Sequence, residues 1–193
     1  MRIEAIILAA GESSRMGSPK ALITKEDTTL LQQASAPFRA LGVHLLVVTG
    51  YHAGEVEAGA AVLQASVIRN VAPGRGMASS VRTGIRRAAE ADVVFVHPVD
   101  CPGVLPATLQ MLLGALEGFP NAHAAVPMYL GRGGHPVALD RVACGMMMAR
   151  RQLTLRDLLG WLGPAVVRVE TGDAAVVRDI DTPEDAAVWR IQA

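Results

Sequence analysis

The chain has 193 residues, in which eighteen Lys and Arg balance eighteen Asp and Glu, and only 4% of residues are aromatic. A neutral balance offers a long polyanion no field to follow, and so few rings leave little for stacking on bases, so nucleic acid is not the expected partner. The length suits a single domain, residues 1–193, with a core and a cleft that need no disulfide or metal staple.

The first element is "IEAIILAA", residues 3–10, a nearly unbroken apolar run of strand length. It breaks into "GESSRMGSPK", a glycine loop carrying Arg15 and Lys20, before the apolar pattern resumes. Glycines after a strand let backbone N–H groups approach an anion, and two cations add fixed charge, so the loop suggests polyphosphate. It is not a P-loop, since Lys20 stands three residues after Gly17, and Ser13 occupies the second glycine position of a dinucleotide-binding loop.

Further strands are predicted at "VHLLVVTG" (43–50), "ASVIRN" (65–70) and "DVVFVHPVD" (92–100), with helices near 28–41, 53–62 and 77–90 between them. Pro37 should kink or end the first helix. Pro106 and Gly118 bracket another over about 106–117. The expected fold is α/β: a three-layer α/β/α sandwich around a mostly parallel, Rossmann-like sheet with right-handed crossovers. Two extended runs around "GRGG" (131–134) then predict a β-hairpin flap. Helices follow around 140–160, then short strands at "AVVRVE" and "AVVRDID", and a last helix at "TPEDAAVWRIQ".

Open parallel sheets bind ligands at the carboxyl ends of their strands. Besides the cationic loop, those ends carry "NVAPGRGMASS" (70–80), Asp100 in "HPVDCPG", and Asp179 and Asp181 in "RDIDTPED". Carboxylates beside a polyphosphate require a cation between them, which makes Asp100 and Asp181 the candidate Mg²⁺ ligands. Plain structural alternatives exist for each feature. Asp100 could stabilise the turn before Pro102, and Asp181 or Thr182 could cap the last helix. Arg15 and Lys20 could be solvated, and Ser79 or Ser80 could belong to an ordinary loop at a helix start. His135 could be a turn residue, while His44, His52, His97 and His123 lack paired spacing and read as structural or exposed. Acyl transfer is disfavoured, because neither serine cluster forms G-x-S-x-G. Cys101 and Cys144 lack ligand spacing, which fits a reduced cytoplasmic protein. The N-terminus lacks the basic region and length of a signal, and no run is long enough to span a membrane.

Together, "LAAGESSRMGSPK", "NVAPGRGMASSVRTGI", "VDCPGV", "GRGGHPVAL" and "DIDTPED" resemble the MobA-like nucleotidyltransferase family, over residues 3 to about 187. Within it the chain is most similar to the molybdenum cofactor cytidylyltransferase type, on the Ala9-Ala10-Gly11 form of the loop and on "GMASSV". The resemblance implies CMP transfer from CTP to molybdopterin cofactor with release of pyrophosphate. It implies that Ala10, Gly11, Ser13, Arg15, Gly17 and Lys20 wrap the nucleotide, and that Gly76, Met77, Ser79 and Ser80 border base and ribose. Asp100 and Asp181 would hold Mg²⁺, Arg15, Lys20 and Asp100 would be catalytic, and Gly134 and His135 would face the acceptor. Cys101 stands where the family commonly has Gln or Met. Two other readings remain at this point: transfer to a phosphosugar or other small phosphorylated acceptor, and a nucleotide-binding module without transfer. A labile product would be handed to a molybdoenzyme or its chaperone.

Overall fold

The computed structural model describes residues 1–191. The chain runs β1 (Ile3–Ala9), a turn at Lys20–Leu22, β2 (Thr24–Lys25), β3 (Thr28–Thr29), α1 (Leu30–Ala40), β4 (His44–Thr49), α2 (Ala53–Ala61), β5 (Ser66–Arg69), α3 (Met77–Arg87) and β6 (Val93–Pro98). It continues through α4 (Pro106–Gly118), β7 (Ala124–Tyr129), β8 (Arg132–Gly133), β9 (Val137–Asp140), α5 (Arg141–Ala149), α6 (Leu155–Leu162), β10 (Val166–Glu170) and α7 (Pro183–Ile191). The main sheet has the order β10-β7-β9-β6-β1-β4-β5, with β8 paired to β7.

β1 is central because it is apolar on both faces, and it pairs in parallel with β4 and β6. Ile6 and Leu8 point into one core layer with α3, α5 and α6, while Ala5, Ile7 and Ala9 join the other with α1, α2 and α4. The three-layer α/β architecture follows from this split.

Three local expectations change. Helix α1 runs past Pro37 to Ala40, secured at its start by a reciprocal Thr29–Gln32 capping box. Burial of Leu31, Ala34 and Phe38 against the sheet outweighs the one backbone bond that Pro37 cannot make. The segment "AVVRDID" forms no strand: Ala174–Val177 is a 3-10 turn, with the Asp173 carboxylate accepting from Ala175 N–H and Leu105 N–H. Around "GRGG", a tight hairpin joins β7 and β8, with Leu130 and Gly131 both at positive φ, as a two-residue turn requires. The second extended run is no flap strand, however. β9 inserts antiparallel between β6 and β7, because Val137, Ala138 and Leu139 are apolar enough to be buried there.

Candidate active site

β6 and β7 both lie antiparallel to β9, so they share a direction, and the β7–β8 turn rises on the edge where β1, β4 and β6 end. That edge holds a cleft of about 310 Å³, within the range of small-molecule sites.

The loop after β1 forms one wall. Ser13, at positive φ, accepts the Lys20 backbone N–H on its hydroxyl at 2.9 Å, closing the loop on itself. The closure delivers the Lys20 ammonium between two carboxylates, 3.0 Å from Asp100 Oδ2 and 2.7 Å from Asp181 Oδ1. The Arg15 guanidinium lies 3.6 Å from the other oxygen of Asp181. Burial alone would lower the Lys20 pKa, but the two carboxylates outweigh it and the net shift is upward. Asp181 is held below the usual carboxylate range by its hydrogen bond from Lys20, partly against burial.

Capping does not occupy Asp181. At the start of α7, the Thr182 hydroxyl accepts from Asp185 N–H at 3.1 Å and the Asp185 carboxylate accepts from Thr182 N–H at 2.8 Å. The carboxylate of Asp181 is thereby left to face Lys20. The Asp100 carbonyl, just past the end of β6, accepts from Ile180 N–H at 3.0 Å, tying the C-terminal segment to this edge.

The opposite wall is the start of α3. Gly76 at φ +80° is its N-cap, a conformation suited to glycine, and no side chain caps this end. The free N–H groups and the helix dipole present positive potential toward the cleft, which Gly76, Met77 and Ser80 line. Asn70 organises the wall by donating to Ser79 Oγ at 2.8 Å and Ser80 Oγ at 3.0 Å.

The chain also matches known proteins. The model of the MobA-like NTP transferase domain matches residues 5–166. The chain belongs to that family. It is 28% identical to the molybdenum cofactor cytidylyltransferase of Escherichia coli K12, over 95% of this chain and 93% of that one. It is 33% identical to a molybdenum cofactor guanylyltransferase of Xanthomonas euvesicatoria, over 63% of this chain and 56% of that one. The crystal structure of Rv0371c from Mycobacterium tuberculosis superimposes with a TM-score of 0.80 at 27% identity, covering all of both chains. A complex of Rv0371c with manganese gives 0.77 at 26%, also over the whole of both chains.

In this MobA-like transferase, Ala10, Gly11, Ser13, Arg15, Lys20, Gly76, Met77, Ser80, Asp100 and Asp181 all line the cleft. Gly17, Ser79, Gly134 and His135 do not. The Ser79 hydroxyl turns inward, donating to the Gly76 carbonyl at 2.9 Å. Gly134 packs against the backbone of Val176, where a side chain would collide. The His135 backbone N–H donates to the Val176 carbonyl at 2.8 Å, and its Nδ1 is buried without a hydrogen-bond partner among the described residues. Burial pushes its imidazole pKa down.

Sequence reasoning missed the end of β4. Tyr51 and His52 line the cleft, and His52 Nε2 donates to the Glu12 carbonyl at 2.8 Å, tying the glycine loop to α2. The strand-end rule applied to "VVTGYH" would have found both. Gly50 belongs to the same join, since a Cβ there would lie 2.5 Å from the Ala10 carbonyl. Asp179 also gains a setting: one ligand atom each from Asp100, Cys101 and Asp179 lie within 4.8 Å of one another. Burial, then the Asp100 charge, raises the Asp179 pKa, and burial first of all pushes the Cys101 thiol far up.

Proposed function

We propose that the cleft binds CTP with Mg²⁺ and transfers CMP to the phosphate of molybdopterin cofactor, releasing pyrophosphate. The observation that carries this is the Lys20 ammonium held between Asp100 and Asp181 beside a glycine loop. Two carboxylates already arranged around one cation are a hard-oxygen donor set that fits Mg²⁺. The preference for CTP is supported by the near full-length similarity to a cytidylyltransferase, against partial coverage of a guanylyltransferase.

An oxygen of the acceptor phosphate attacks the α-phosphorus. The bond from that phosphorus to the oxygen bridging the α- and β-phosphates breaks, and pyrophosphate leaves with the electron pair. The attacking phosphate is largely ionised near neutral pH, so no side chain need remove a proton. Lys20 and Arg15 offset charge on the phosphates, and the α3 N-terminus and glycine-loop amides hold them in line. Bound Mg²⁺ would supply further charge withdrawal from the phosphate oxygens, held by Asp100 and Asp181. Met77, Ser80 and Tyr51, which line the cleft, would border the nucleoside. The product is suited to direct transfer to a molybdoenzyme or its chaperone.

The test is turnover with molybdopterin cofactor and, in turn, CTP, GTP, UTP and ATP, read as pyrophosphate release. Release with CTP alone supports the proposal. Release with GTP at equal kcat/KM removes the base assignment, and release only with a phosphosugar removes the acceptor.

A further inference from the structure

Outside the cleft, a basic surface lies where α3 packs on α5 and α5 on α6. Arg82 and Arg86 on α3, Arg150 and Arg151 after α5, and Arg156 at the start of α6 lie on these elements. The Arg82 guanidinium donates to the Leu153 carbonyl at 3.1 Å, joining α3 to the α5–α6 turn. Among the described residues, none of the five arginines has a carboxylate within ion-pair distance. Arg150, Arg151, Gln152, Leu153, Asp157 and Trp161 line a groove. Its one acid, Asp157, is committed to capping α6, accepting the Thr154 hydroxyl proton at 2.6 Å.

The groove also carries an exposed ring. The Arg150 guanidinium lies 3.9 Å from the centroid of Trp161, whose surface is still 55% exposed. Stacking orders a long side chain that would otherwise be free, and it leaves a half-bare indole beside unneutralised charge. Tryptophan and arginine together are the residues that most often dominate protein interfaces.

We infer that this groove docks an acidic segment of another protein, with an apolar side chain of that segment covering Trp161. Charge complementarity selects this occupant. The whole chain is neutral, so apart from these five arginines it carries a net charge of −5 with His neutral. In the groove Arg150 and Arg151 outnumber the one acid, Asp157, which is held by Thr154, so a short acidic segment meets net positive charge. The surface adjoins the cleft: Met77 and Ser80 line the cleft on α3, and Arg82 and Arg86 follow on the same helix, within about 14 Å along its axis. A protein held there would stand beside the mouth of the site.

The experiment uses the full chain and a fluorescein-labelled decapeptide of nine glutamates and one central leucine, with binding read by anisotropy at low ionic strength. Saturable binding is expected, weakened about tenfold or more by Arg150→Glu with Arg151→Glu and also weakened by Trp161→Ala. Arg39→Glu, on the opposite face of the sheet, should leave binding unchanged. Thermal unfolding of each variant, with transitions matching the parent, confirms that the fold is intact. Absence of saturable binding overturns the inference, as does equal binding by parent and double variant. Tighter binding of a duplex DNA of equal charge, lost on the same substitutions, also overturns it in favour of a nucleic-acid surface. None of these outcomes depends on the nucleotide chemistry proposed for the cleft.

Discussion

The two halves of the cleft edge are built on opposite electrostatic principles. On the side of β1 and α3, each carboxylate facing the cleft floor has a cation in reach: Lys20 for Asp100, and Lys20 with Arg15 for Asp181. Around His97 and Asp179, groups lack such a cation. The exposed Asp179 is crowded by Asp100, and His97, on β6 beside Ile7 of β1, has both ring nitrogens buried without a side-chain partner among the described residues. In the first half the cations and carboxylates are paired, the arrangement that the proposed nucleotide and metal would require.

Removing the cation of the first half should have the largest effect. Lys20→Ala is expected to lower kcat by a factor on the order of 10²–10³, the usual loss for one group stabilising developing charge. Arg15, with a side chain 66% exposed, should matter less, and Arg15→Ala should act on the order of tenfold and mainly through KM. Equal effects of the two variants on kcat would remove the distinction between a buried and a rim cation.

The second half is broken by acid. Burial lowers the His97 pKa from 6.5 to about 3, so the unfolded chain takes up this proton before the folded one does. The contribution to stability is full above pH 6.5 and is lost as the pH falls toward 3. His97→Phe should abolish it, flattening the dependence by about 2 kcal/mol at pH 5, as seen in denaturant titrations across that range. A parent and variant with parallel pH profiles would show that the His97 pKa in the fold equals its value in the unfolded chain.

Asp179 gives the smallest and opposite effect. Its pKa is raised in the fold, so its charge costs stability above that value, and the cost disappears as the pH falls to 3.8. Asp179→Asn should therefore raise Tm slightly at neutral pH, within the ~1 kcal/mol of exposed charge interactions, and not at pH 3.5. A fall in Tm at neutral pH would show that Asp179 has a stabilising partner.

Much of the β1–α3 half was legible because it is written locally. "ILAAGESSRMGSPK" carries its strand, its turn residues and its cations within fourteen positions. "GRGMASS" likewise carries a glycine for positive φ directly ahead of a helix start. Asp181 was legible as a candidate, but its rival reading as a helix cap yielded only to Thr182 and Asp185, which divide the capping between them. The β7–β9 half was read less well. "GRGG" predicts the hairpin turn, but nothing local says that "VALD" will enter the sheet between β6 and β7. The placement of Gly134 against Val176 joins segments more than forty residues apart in sequence.

By itself, then, the sequence determined the alternation of apolar strands and amphipathic helices, the glycine loop and the strand-end carboxylates. These follow from periodicity and turn chemistry within a dozen or so residues. The tertiary structure alone decided which charges meet. Lys20, Asp100 and Asp181 are separated by 80 and 161 positions, and they converge because parallel pairing of β1 with β6, and the packing of the C-terminal segment on Asp100, bring their loops to one edge. It also left Arg150 and Trp161 stacked on an open face, since burial of Leu155, Leu158 and Leu162 fixes which side of α6 turns outward.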